Sequence, residues 1–437
     1  MQTLYLDNNA TTRPAPEVAA AMDHAQRDLW ANPSSIHRPG QAARQAIELA
    51  RKHLALLVGA RPRQVTLTGS GTEAIDLAIR GGLRALAQPP SPGAPTGPRP
   101  AGAPAPPLLL VTTRAEHSAV RELAADLERY GLDGRTVRVV WAAMTPDGRV
   151  DPASIEHALR AHADEFGTAG AVKMVSVQWA NNETGAIQPV IEIARVCRDN
   201  GAIFHCDATQ WVGKQRRVAP GPDGSSPPAE ASVCDMLTFS AHKFHGPKGV
   251  GVLCLRPPVR VAPIIPGEQE LGRRGGTENT PAIVGAGVAA QLADAWLNDP
   301  AHVSAGRALR DRFEERVVAG ARRAGVDASV NGPLGVDGHA EPLRLWNTSS
   351  IAFARLEAEA LLLLLSERGV CCSAGAACSS GSLEPSSVLL ATGIPPEKAH
   401  GSLRFSLSRE TTEQEADHAA EIVVQGVARL SRSMPAG

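Results

Sequence analysis

The sequence predicts an α/β protein built on a mostly parallel central sheet flanked by helices, and three observations carry that prediction. Short apolar runs rich in β-branched residues alternate with segments of helical periodicity, the pattern of a sheet covered by helices. At 437 residues the chain exceeds one ordinary core, so two domains are expected. Hydrophobic residues make up 43% of it, enough to fill them.

Strand candidates are 108–113, 137–141, 172–179, 202–207, 236–240 and 249–255, each short and bounded by polar or turn residues. Helical patterns cover 16–30, 41–57, 73–86, 119–130, 152–161 and 190–200. A sheet wound in this way places ligands at the carboxyl ends of its strands. From Pro281 onward the helices lengthen and strands thin out, which marks a smaller α+β domain. The expected division is a segment 1–14 that joins the small domain, a large domain over 15–262, and the small domain over 263–437. Residues 88–107 are almost wholly Pro, Gly, Ala and Ser and read as a loop inserted in the large domain. Residues 219–230 read as a second enlarged loop.

The formal net charge of −1 carries no nucleic-acid footprint and no membrane-surface patch. Seven cysteines at irregular spacing leave at least one thiol unpaired and make no disulfide framework, so a reducing cytoplasm fits best. The first residues lack a basic stretch followed by an apolar run, and the longest apolar block, 360–365, is too short to span a bilayer.

Chemistry concentrates at strand ends. Only six lysines stand among the 44 basic residues, and one of them, Lys243, follows the apolar run 236–240. Schiff-base chemistry needs a lysine, because arginine cannot lose its proton to become a nucleophile. Taken alone, Lys243 reads equally well as a solvated loop residue. Asp207 ends another apolar run, where a carboxylate can pair with a pyridinium nitrogen or simply cap a helix. Gln210 lies one turn further on. In Leu67-Thr-Gly-Ser-Gly-Thr-Glu-Ala a strand passes through glycines into a helix, which makes Gly71 and Thr72 candidate phosphate contacts. His117 follows a third strand and can stack on a planar ring; a lone histidine is as readily structural.

Together these segments resemble the fold-type I pyridoxal-phosphate (PLP) transferases of the class-V aminotransferase family, and within it the cysteine desulfurases of the NifS/IscS type. The resemblance runs through Tyr5-Leu-Asp-Asn-Asn-Ala-Thr-Thr, Asn32-Pro-Ser-Ser-Ile-His, Asn181-Asn-Glu-Thr-Gly, Asp207-Ala-Thr-Gln and Ser240-Ala-His-Lys. It continues in Arg274-Gly-Gly-Thr-Glu-Asn, Cys378-Ser-Ser-Gly-Ser-Leu-Glu-Pro-Ser and His400-Gly-Ser-Leu-Arg-Phe-Ser-Leu-Ser-Arg. It implies that Lys243 holds PLP and moves protons, that Asp207 pairs with the ring nitrogen, and that Asn182 and Gln210 bond near its phenolic oxygen. His117 would stack on the ring and take part in acid–base steps. Gly71, Thr72, Ser240 and His242 would hold the phosphate, joined by Thr277 from the second subunit of a homodimer. Arg404, with Asn182, would bind the substrate carboxylate through a bidentate pair. Cys378 would take sulfur from L-cysteine as a persulfide, release alanine, and pass the sulfur to an acceptor protein such as an iron–sulfur scaffold or a thiolation carrier. No metal, direct nucleic-acid contact or membrane attachment is implied.

Two departures stand out. Ala241 replaces a usual glycine, and Ser373-Ala-Gly-Ala-Ala before Cys378 lacks hydroxyls common in relatives. Cys371 and Cys372 read as core thiols, or as thiols of which one captures the persulfide or forms a disulfide with Cys378 under oxidation. A selenocysteine lyase and a catalytically silent partner-binding scaffold are the rival readings.

Overall fold

The computed structural model describes residues 3–87, 106–167, 172–216, 229–334, 343–374 and 385–433. Most of the 88–107 insertion and of the 219–230 loop lies outside them, although Glu230 itself opens a short helix, Glu230–Val233.

The chain begins with β1 (Leu4–Tyr5). Seven strands then form the central sheet: β2 (Val65–Thr68), β3 (Leu108–Thr112), β4 (Val137–Trp141), β5 (Lys173–Ser176), β6 (Ile203–Asp207), β7 (Met236–Ser240) and β8 (Gly251–Leu255). Their order across the sheet is β2-β8-β7-β6-β5-β3-β4. Only β8 runs against its neighbours; the other pairings from β7 to β4 are parallel. Strands β3 and β7 are buried along their whole length because helices cover both faces of a parallel sheet. The predicted 137–141 and 236–240 coincide with β4 and β7. The helix expected at 73–86 starts two residues earlier, with Ser70 capping it by accepting from the Glu73 amide, and runs through one wide turn at Leu77–Gly81 to Ala87.

A second sheet, antiparallel throughout, has the order β12-β13-β10-β9, from β9 (Ala328–Val330), β10 (Thr348–Phe353), β12 (Ser373–Ala374) and β13 (Ser402–Ser406). A short β11 (Val370–Cys371) pairs in parallel with β1. Leu4 and Leu6 are buried in the apolar cluster of this smaller body, together with Phe353, Leu361 and Phe405.

The helix Thr280–Leu297 departs from the expected division. Its buried face belongs to the core of the large body, because a run of glycines and alanines lets it lie hard against the helices Pro16–Asp28 and Arg38–Leu57. A methyl group placed on Gly287 would come within 2.6 Å of Ala50. Small residues on several sides hide the one-sided stripe that marks a surface helix. We therefore infer that the change of core falls after Leu297 rather than at 263.

Among the described residues no helix is long and apolar enough to cross a membrane, and no group of three or more His, Cys, Asp or Glu is placed to hold a metal ion.

Candidate active site

The carboxyl ends of the parallel strands open into a cavity of about 480 Å³, closed on one side by the small body. Gly71 and Thr72 reach it from the end of β2, His117 from β3, Asn182 from β5, Asp207 and Gln210 from β6, and Ser240, His242 and Lys243 from β7. Arg404 enters from β13 of the second sheet. Of the twelve site residues singled out in the sequence, these ten line the cavity. The other two are Thr277, in a neighbouring depression with Gly276 and Asn279, and Cys378, outside the described residues.

The glycine turn brings backbone against β7. A methyl group on Gly71 would sit 3.2 Å from the Ser240 side chain, so the helix start and the end of β7 form one tight wall. The first amides of that helix have no partner within it and suit an anion. Asp207 is buried, and its Oδ1 accepts from the Thr209 amide at 3.0 Å. The Lys243 amine donates to the carbonyl oxygens of Asn9 (2.7 Å) and Ala10 (2.8 Å). His117 caps its helix by accepting at Nδ1 from the Ala119 amide, 3.1 Å away. His242 is held near a pKa of about 4, first by burial and then by the charge of Lys243, so its ring is neutral at neutral pH. The Arg404 guanidinium donates to Asp7 (2.6 Å) and to the Asn182 carbonyl (3.1 Å). Its Nε and the side-chain oxygen of Asn182 are buried without a hydrogen-bond partner. Such orphaned groups are costly unless something in the cavity meets them.

Asn9 also lines the cavity, and two buried carboxyls, Glu116 and Glu183, lie near it without lining it. Asn9 joins both bodies: its side chain donates to the Asn182 carbonyl and the Thr348 hydroxyl, and accepts from Asn347 and Lys214. Glu116 is fully buried, and Glu183 nearly so; burial pushes their carboxyls up to about 8 and about 7. Glu183 accepts from the Ser386 hydroxyl at 2.6 Å. The described flanks of Cys378 thus both meet the site, since on the other side Ser373 of β12 pairs with Arg404 of β13. Burial raises the Cys372 thiol far above its ordinary value, which makes it a poor nucleophile at neutral pH; Cys371 is partly exposed.

Glu116 makes a stability prediction. Its native pKa, about 8 against 4.5, means that the folded chain keeps a proton the unfolded chain releases. Stability from this group is full below pH 4.5 and is lost as pH rises through about 8, by on the order of 4 kcal/mol. Urea midpoints should fall between pH 5.5 and 8, and Glu116→Gln should flatten that slope. An unchanged slope in the variant would count against a protonated Glu116.

The family model for aminotransferase class-V matches residues 4–91 and 105–418. A cysteine desulfurase of Cereibacter sphaeroides is 41% identical over 439 aligned positions, covering all of this chain and 99% of the relative. One of Trichormus azollae is 39% identical over 436, covering all of this chain and 95% of the relative. Among solved structures, a NifS-like protein superposes with a TM-score of 0.77 at 30% identity, covering 97% of this chain and 99% of its own. SspA in complex with cysteine does so at 0.69 and 28%, covering 93% and 99%. With ten of its candidate site residues gathered at one cavity and its whole length aligned to these relatives, the chain belongs to the class-V aminotransferase family, among the cysteine desulfurases.

Proposed function

We propose that the chain is a PLP-dependent cysteine desulfurase that converts L-cysteine to L-alanine and passes the sulfur to Cys378. The observation that carries this reading is the meeting of Lys243, Asp207 and Arg404 with a helix N-terminus in one cavity.

The residues present fit the cofactor. The amides of Gly71 and Thr72, with Ser240 and His242, suit a phosphate. Asp207 suits a pyridinium nitrogen, and the unpartnered Asn182 oxygen and the Gln210 amide lie where polar ring substituents need partners. His117 supplies a flat face. When bound, the cofactor supplies an electron sink for the substrate's Cα proton and Cβ–sulfur bond. Lys243 would anchor it and then move the proton at substrate Cα. Arg404 would take the substrate carboxylate, with its unused Nε available and Asp7 fixing the guanidinium plane. The Cys378 thiolate would attack the substrate sulfur: an S–S bond forms as the Cβ–S bond breaks, and the electron pair stays with the carbon fragment that leaves as alanine.

The same reading includes a homodimer in which the partner subunit supplies its Thr277 to this cavity, a cytoplasmic setting, and an iron–sulfur scaffold or thiolation carrier as acceptor. Exposed Trp30, Ile36 and Leu271 offer apolar surface for the second subunit.

The test is release of alanine and sulfide from L-cysteine with PLP and a thiol reductant, run beside L-selenocysteine. Equal amounts of both products from L-cysteine support the desulfurase. Turnover of selenocysteine alone points to a selenocysteine lyase, and PLP binding without either product points to a silent scaffold.

A further inference from the structure

Behind the cavity wall lies a second lysine. Lys214 is buried, and its amine meets two side-chain oxygens, Gln210 Oε1 and, at 2.9 Å, Asn9 Oδ1. The far end of the Gln210 amide is equally constrained, since its Nε2 donates to the Asn9 carbonyl at 2.9 Å. That same carbonyl accepts from Lys243. One small network therefore ties Lys214, Gln210, Asn9 and Lys243 together.

We propose that Lys214 is a positioning residue that makes Gln210 a one-way hydrogen-bond donor toward the cavity. With Oε1 committed to an amine that can only donate to it, the amide cannot turn its oxygen to the ligand side. One Nε2 hydrogen goes to Asn9, and the other remains for whatever the cavity holds. Burial first, and then the charges of Lys243 and Arg404, drive its pKa well down. A neutral amine still has a hydrogen for each oxygen but also a lone pair open to a turned amide, and in that state it is the Asn9 carbonyl, which only accepts, that keeps Nε2 in place.

This inference rests on the reading of the cavity as a PLP site. A donor at Gln210 favours a phenolic oxygen that has lost its proton, and so sets the pH at which the bound cofactor changes colour. The backbone of Lys214 is anchored apart from its amine: its carbonyl accepts from Trp346 Nε1 at 2.6 Å, and its amide donates to the Trp211 carbonyl.

The experiment compares the holoenzyme with Lys214→Met, Gln210→Ala and the double variant, reading the pH midpoint of the visible PLP band alongside kcat and KM for L-cysteine. Lys214→Met should move the midpoint up by about one pH unit and lower kcat about tenfold with little change in KM. In the Gln210→Ala background the same substitution should move it by less than about a third as much. Lys214→Arg should restore the midpoint in part, and Lys214→Leu is read in the same way should Lys214→Met not fold. An unmoved midpoint, or equal shifts with and without Gln210, overturns the proposal while leaving the desulfurase reading intact. A wild-type chain with no visible PLP band overturns both.

Discussion

Replacing Lys243 with alanine should leave a chain that takes up PLP but cannot be joined to it, with turnover reduced by at least about a thousandfold. The loss combines two roles. In the proposed reading the amine would anchor the cofactor and would also be the base acting at substrate Cα. The phosphate wall at Gly71 and Ser240 and the carboxylate of Asp207 remain, so uptake persists. Borohydride treatment followed by denaturation checks this: wild type should retain the cofactor covalently, and Lys243→Ala should release it. Lys214 makes the experiment sharper, because it is a second lysine in the same network. Covalent retention by Lys243→Ala would mean that another lysine holds the cofactor, and the assignment of Lys243 would fall.

Cys378→Ala should keep the visible PLP band of wild type and lose sulfide release by at least about a hundredfold. Here the roles are separable, since every group assigned to the cofactor lies elsewhere. The described chain enters the Cys378 segment from β12, paired beside Arg404, and leaves it at Ser386, bonded to Glu183. Single-turnover mixing with L-cysteine, followed by alkylation and mass measurement, should find one extra sulfur on wild type and none on the variant. Sulfide release at the wild-type rate from Cys378→Ala would require a different acceptor, with the partly exposed Cys371 the next to replace.

Much of the fold was legible because the strands of a parallel sheet are continuous apolar runs with polar ends. Asp207, Ser240 and Lys243 are conspicuous at those ends, where a side chain emerges beside a ligand. The helix Thr280–Leu297 packs in the core of the large body although the sequence places it after 263, because its contact face of glycine and alanine leaves no strong periodic signal. Asn9, Lys214 and Glu116 went unremarked for another reason. Their importance comes from hydrogen bonds and burial contributed by distant segments, as in the contact of Lys214 with Asn9, 205 positions away. A polar residue in a short irregular stretch carries no pattern that announces such partners. Cys378 was legible only through the motif around it.

The tie between the first ten residues and the last strand has a consequence for biosynthesis. Asp7 is paired with Arg404, and the Asn9 amide with the Ser406 hydroxyl, 397 positions along the chain. The opening segment leaves the ribosome first, yet it has nowhere to dock until nearly the whole chain has been made. Two of the carbonyl partners of Lys243 lie on that segment, so those bonds wait for it to dock. Capture of the proposed cofactor in its final geometry would accordingly come late, and nascent chains stalled before residue 404 should not acquire it.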